Sequence, residues 1–347
     1  SNKQQAIDYG RTMHKTAEQI AACRHPIVAQ IHGICVGGGL EIAALCDIAL
    51  RAGGHLLDGA VAVEAGDYRA AEGRRADAIA AVQEARAAAE RSSWRLPATA
   101  RRVLLCEARS LHAVLYAPRR RAPRAGLVLY LHGGGFVMGN AASAAPLCER
   151  VAQEVGCYVL ALEYRLAPEA RFPAAPDDCL CALRWAVEHA VHGGWDATRL
   201  AVVGQSAGGN LAAVAAQGWK GQAPALREQI LICPLTDFRA ERHASRARLS
   251  DNIVLSAEAI AWFEQRYLRR RADREDPRAS PLLASDLSGL PPALVITAAG
   301  DPLCDEGEAY ACALSHAGVP VRLERYPSIH GFVELWTDLK QGELALR

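Results

Sequence analysis

The chain has almost no net charge, no long apolar run and no paired cysteine spacing, and each shortage excludes something. Lysine and arginine number 39 against 38 acidic residues, a net charge of +1. No electrostatic field therefore draws the protein to nucleic acid or to an anionic membrane. The longest apolar runs, such as 126–131, are strand-sized, far short of the ~20 residues of a membrane-spanning helix. The opening residues Ser1-Asn2-Lys3-Gln4-Gln5 are polar, so no signal peptide is expected, and the absent first Met is expected of a trimmed chain. Eleven cysteines lie singly apart from Cys179-x-Cys181. With an odd count and no CxxC pair, neither a disulfide framework nor a zinc site is expected; reduced thiols in a cytoplasmic protein are. No repeat of solenoid period is present. What is there is apolar material: 51% of 347 residues is hydrophobic, enough for one large α/β domain with decoration or for two domains.

Three regions differ in texture. Residues 1–51 hold an apolar segment at 26–31, a glycine triplet Gly37-Gly38-Gly39 and an apolar stretch at 40–50, which reads as strand, glycine turn and helix. Residues 52–104 are rich in Ala, Arg and Glu, and 76–91 has the composition of a surface helix; the region is expected to be a helical linker or cap. From about 105 onward, short β-rich runs at 111–116, 127–131, 158–162, 200–203, 230–232, 294–297 and 321–326 alternate with helix-like stretches at 147–155, 178–190, 207–217 and 306–317. Continuous apolar strands separated by helices imply the α/β class, with a mainly parallel sheet covered on both faces. The expected catalytic domain is 105–240 plus 277–347, interrupted by a charged cap insertion at 241–276 with an amphipathic segment at 257–268.

In such sheets the chemistry lies at the carboxyl ends of strands. After 200–203 comes Gly204-Gln205-Ser206-Ala207-Gly208, a GxSxG elbow. Weak alone, the motif gains force from the strand before it and the helix after it. After 127–131 comes His132-Gly133-Gly134-Gly135, whose bare N–H groups at Gly134 and Gly135, with that of Ala207, could hold a negative oxygen; a plain glycine turn is the bland alternative. Asp301 comes after 294–297 and His330 after 321–326. A serine needs a base, and the base needs a carboxylate. Ser206, Asp301 and His330 are thus the candidate catalytic residues. Asp305 is the rival acid, but lies one turn into a helix, where a first-turn charge or cap is expected.

These residues resemble the hormone-sensitive-lipase-like family of α/β-hydrolases. The likeness covers about 105–347 and includes His132-Gly133-Gly134-Gly135, Tyr164-Arg165-Leu166-Ala167-Pro168-Glu169, Phe172-Pro173-Ala174-Ala175, Gly204–Asn210, Asp301-Pro302-Leu303-x-Asp305-Glu306-Gly307 and His330-Gly331-Phe332. The resemblance implies an α/β-hydrolase fold with a cap from N-terminal helices and the insertion. It implies a serine carboxylesterase for short-to-medium acyl esters, with no organic cofactor and no metal, and a structural role for Tyr164–Glu169 in bracing the glycine loop. Gln205 stands where the family commonly has Asp or Thr, Cys304 where Arg is usual, and the last helix is expected to be shortened. Residues 1–51 separately resemble a crotonase (enoyl-CoA hydratase/isomerase) segment through His25-Pro26-Ile27-Val28-Ala29, Gly33, Gly37-Gly38-Gly39, Glu41, Ala43 and Cys46-Asp47. About 50 residues cannot enclose that family's core, so a fusion remnant reused as cap or interface is expected.

The expected partner is a small-molecule ester, with no nucleic acid and no integral membrane association; a homo-oligomer is left open. Gln205, Ile253, Trp262 and Phe263 are the pocket candidates. An amidase or deacetylase with the same triad is the alternative, and a non-catalytic small-molecule receptor on this fold is the rival of another class.

Overall fold

A computed structural model describes residues 96–252, 254–334 and 340–346 of the chain. The chain divides into two units, and the larger, Leu96–Asn252 with Ser256–Arg347, carries all the described strands and helices. The crotonase-like segment 1–51, the expected helix at 76–91 and Ile253 lie outside the described residues.

Eight strands form one sheet: β1 Ala100–Cys106, β2 Leu111–Tyr116, β3 Leu127–Leu131, β4 Tyr158–Glu163, β5 Leu200–Gln205, β6 Glu228–Ile232, β7 Ala293–Gly300 and β8 Val321–Ile329. Their order is β1-β2-β4-β3-β5-β6-β7-β8. The β1–β2 and β2–β4 pairs are antiparallel, and all pairs from β4 to β8 are parallel. The central strands are continuous apolar runs because both faces are covered: Leu127, Leu129, Leu131, Leu160, Leu200, Val202 and Val295 are all buried.

Counting helices of six residues or more, α1 is Ala145–Val155, α2 Ala174–Glu188, α3 Ala207–Gly218, α4 Ala257–Tyr267, α5 Cys304–His316 and α6 Lys340–Ala345. Helix α3 packs on β3, β5 and β6, and α5 on β7 and β8. Every residue of α3 from Ala207 to Ala216 is buried, and their mostly small side chains let the helix lie close on the sheet. The long connection from β6 to β7 carries two short helical turns, Ala240–Arg242 and Ala244–Arg248, and then α4. Ser256 caps α4 by accepting the Ala259 N–H at 3.1 Å. Tyr267 at its end is buried and stacked on Phe136, 3.8 Å between centroids and 8° between planes, with Phe172 edge-on at 5.8 Å. Such pairs add roughly 1 kcal/mol each beyond area burial, so α4 is tied to the loop after β3.

The first strand begins at Ala100, inside the stretch whose composition reads as helical linker. Of its seven residues only Val103 is buried, while Arg101, Arg102 and Leu104 are exposed. An edge strand with one core contact has no apolar run to betray it. Strands β5 and β8 also extend to Gln205 and Ile329, so Ser206 and His330 come directly after them.

Candidate active site

Register brings the candidate residues together. Gly300 pairs with Ile329, so Asp301 and His330 leave the sheet side by side. Gln205 pairs with Ile232, so Ser206 leaves next to Cys233. The ends of β3, β5, β6, β7 and β8, neighbours in that order, therefore present His132, Ser206, Cys233, Asp301 and His330 along one edge.

Ser206 sits at φ 56°, ψ −119°, a conformation that costs about 1–3 kcal/mol and must be held by its surroundings. Its N–H donates to the Ile232 carbonyl at 2.8 Å, and its carbonyl accepts the Asn210 N–H at 3.0 Å. A Cβ on Gly208 would lie 1.9 Å from the Leu131 oxygen, and one on Gly204 1.9 Å from the Gly208 oxygen. No side chain fits either place, which is why the elbow is written G-x-S-x-G.

His330 Nε2 lies 2.9 Å from Ser206 Oγ, and His330 Nδ1 lies 2.8 Å from Asp301 Oδ2. Asp301 is fully buried, and its Oδ1 accepts the Leu303 N–H at 2.8 Å. A carboxylate facing Nδ1 fixes the proton there, which leaves Nε2 as the acceptor for the serine hydroxyl. Asp305 does not enter this chain of bonds: its carboxylate accepts the Ser245 N–H at 2.7 Å.

The glycine loop runs beside the nucleophile, where a Cβ on Gly133 would touch Ser206 Cβ at 3.5 Å. Gly135 has φ +60°, and a Cβ there would lie 2.3 Å from the Phe263 ring. Among the described residues, the N–H groups of Gly134, Gly135 and Ala207 donate to no protein acceptor, which leaves them free for an anionic oxygen. The loop is braced from beneath. Tyr164 stacks on His132 at 4.2 Å and 15°, and its hydroxyl donates to the His132 carbonyl at 2.8 Å. His132 Nδ1–H donates to the Gly133 carbonyl at 2.7 Å, while Nε2 is buried without a partner. Burial pushes its imidazole down to about 4, against the opposing pull of the Gly133 bond.

Of the pocket candidates, Phe263 covers Gly135, and Trp262 meets Phe263 edge-on at 5.2 Å while Arg266 stacks over it at 3.6 Å. Gln205 is 2% exposed and lies against Gly331 rather than on an open wall. Ile253 is outside the described residues.

A buried polar cluster ties the insertion to the Asp301 loop. Arg246 Nε donates to Glu306 at 2.6 Å, Glu306 also accepts the Thr236 N–H at 2.9 Å, and the Ser245 hydroxyl donates to the Pro302 carbonyl at 2.7 Å. Burial alone would raise the neighbouring Asp237 carboxyl, but bonds from His243 and Arg239 outweigh it and hold it well below the ordinary carboxylate range.

The sequence does not single out Cys233. It stands directly after the β-rich run 230–232, the position that marks the triad residues, but a lone cysteine there is usually plain core. Its Sγ, an Asp301 oxygen and a His330 nitrogen lie within 4.8 Å of one another. These could together face a metal ion, but the Asp301 and His330 atoms already bond to each other and to Ser206.

Comparison with known proteins gives a consistent set. A family model described as "alpha/beta hydrolase fold" matches residues 128–334. Ethyl acetate hydrolase of Pseudomonas putida is 44% identical over 237 residues, covering 67% of this chain and 74% of that protein. Carboxylic ester hydrolase LipN of Mycobacterium tuberculosis is 43% identical over 218 residues, covering 60% of this chain and 58% of its own. Among solved structures, an esterase of Pyrobaculum calidifontis superposes with a TM-score of 0.71 at 38% identity, covering 76% of this chain and 90% of that one.

Proposed function

Because the chain belongs to the alpha/beta hydrolase family, in its hormone-sensitive-lipase-like carboxylesterase branch, we propose that it hydrolyses short-to-medium acyl esters through a Ser-His-Asp triad and an acyl-enzyme. It is a carboxylic-ester hydrolase; the finer reading is what its own site supports. The observation that carries it is the run of bonds from Ser206 Oγ through the two ring nitrogens of His330 to Asp301, at 2.9 and 2.8 Å.

His330 Nε2 takes the Ser206 proton as Oγ attacks the ester carbonyl. Asp301 holds the ring and stabilises its charged form. The N–H groups of Gly134, Gly135 and Ala207, the last at the positive end of α3, receive the oxyanion. His330 then protonates the leaving alcohol, and water repeats the sequence to free the acid. Ser206→Ala should cut kcat by at least about 10³-fold; turnover of p-nitrophenyl acetate near the native rate would exclude Ser206 as nucleophile.

The name ethyl acetate hydrolase supports a short acyl chain for this chain too, and rates on acetyl to dodecanoyl esters would set the limit. Paired esters and amides of one acid would separate the esterase from the amidase. The segment 1–51 is proposed as a cap or interface and not as a second enzyme: removing it should alter the acyl-length profile, and crotonyl-CoA should not be turned over. No helix among the described residues is long and apolar enough to cross a membrane. The cytoplasm is the proposed compartment, which the eight described free cysteines support.

A further inference from the structure

Strand β7 runs on past its neighbour β6, which stops at Ile232, opposite Ile296, and then turns at Asp301. The turn has bonds of its own. The Asp301 N–H donates to the Ala298 carbonyl at 3.1 Å, and the Cys304 N–H to the Asp301 carbonyl at 3.0 Å. Two further donors come from the connection between β6 and β7. Asn252 Nδ2 donates to the Gly300 carbonyl at 2.8 Å, and Ser245 Oγ to the Pro302 carbonyl at 2.7 Å. The insertion therefore grips the backbone on both sides of Asp301.

We propose that Ser245 and Asn252 are positioning residues for the triad: they hold the two peptide planes that aim the Asp301 carboxylate at His330. This rests on the triad reading of the site. A peptide unit is planar, so a bond to its carbonyl also fixes the direction of its N–H. The Pro302 carbonyl shares its plane with the Leu303 N–H, which donates to Asp301 Oδ1 at 2.8 Å. Ser245 thus sets the donor that holds one carboxylate oxygen, while His330 Nδ1 meets the other at 2.8 Å. The Gly300 carbonyl shares its plane with the Asp301 N–H, so Asn252 and the Ala298 carbonyl hold that plane from its two edges.

Ser245 is itself fixed. It is buried, its N–H donates to Asp305 Oδ2 at 2.7 Å, and its Oγ accepts the Asp305 N–H at 3.2 Å. Asp305, outside the triad, therefore serves the clamp. Catalytic groups must stay within about 0.5 Å of the productive geometry, and a misplacement of about 1 Å can cost about 10²-fold in rate. Asp301 acts on the imidazolium that forms during the reaction and not on the bound ester. Loosening it should lower kcat and leave KM alone.

The test is a double-mutant cycle on the full chain, with p-nitrophenyl acetate as substrate. Ser245→Ala and Asn252→Ala should each lower kcat about 10-fold, and the two together about 10²-fold, with KM unchanged. Asp301→Asn alone should lower kcat about 10⁴-fold. In that background the paired Ala changes should lower the rate less than about 2-fold further, because no carboxylate remains to be aimed. If Ser245→Ala does not fold, Asn252→Ala, at a half-buried position, completes the cycle alone. Unchanged kcat in the Ala variants overturns the clamp. So does a rise in KM without a fall in kcat, or an equal loss with and without Asp301→Asn. Any of these beside an inactive Asp301→Asn leaves the triad standing and removes only the clamp. An Asp301→Asn protein near the native rate removes the triad and this inference with it.

Discussion

Acid should loosen this protein through a residue that performs no chemistry. His132 is buried, its Nδ1–H is committed to Gly133, and its Nε2 has no partner, so a second proton would sit as an unpaired N–H in the interior. Burial lowers its imidazole from the ordinary 6.5 to about 4. Between those values the unfolded chain binds the proton and the folded chain does not. Stability is therefore lost as pH falls through that window, and the loss is complete below about 4. From 6.5 down to about 4, at about 1.4 kcal/mol per pH unit, the full loss is about 3.5 kcal/mol, of which about 3 is felt by pH 4. His132→Asn retains a side-chain N–H able to reach Gly133 and cannot titrate. Urea unfolding of both proteins, followed by tryptophan fluorescence from pH 7 to 4, should give curves that converge. The wild type should lose about 3 kcal/mol more than the variant. Parallel curves would refute the argument, because then His132 would take up no proton on unfolding.

Two further outcomes are expected on steric and electrostatic grounds. Gly208→Ala would drive a Cβ to 1.9 Å from the Leu131 oxygen, so it should abolish folded, active protein, as read by soluble yield and esterase rate; an active variant would mean the elbow is looser than its contacts imply. Arg246→Met strands the Glu306 carboxylate, since that pair is 5% and 0% exposed, and should cost about 3–5 kcal/mol. Lys220→Ala, removing a pair 33% and 64% exposed, should stay within about 1 kcal/mol; equal melting-temperature losses in the two would contradict the contrast.

Much of this was legible in the amino-acid order, for a physical reason. Strands buried on both faces must be apolar throughout, so β2 to β7 stand out, whereas β1, with Arg101 and Arg102 in solvent, does not. Ser206 and Asp301 could be named because each comes after such a strand, and His330 because it comes after the β-rich run 321–326, although that edge strand is largely exposed; each belongs to a turn with a special residue pattern. That they meet depends on the strand order and on the Gly300–Ile329 register, which are long-range properties no local pattern contains. The bracing of His132 by Tyr164 was expected only through resemblance. The Arg246–Glu306 pair could not be read, because no local pattern joins its two halves; it exists only once the insertion is folded against the loop after β7.

The central claim is that one hydroxyl, that of Ser206, is the nucleophile. Treating the protein with an organophosphate and mapping the adduct by mass spectrometry tests it most directly. The account predicts a single modification, on the peptide containing Ser206, that rises in step with loss of esterase activity. Activity lost with the label on any other residue, or full labelling of Ser206 with activity intact, would contradict it.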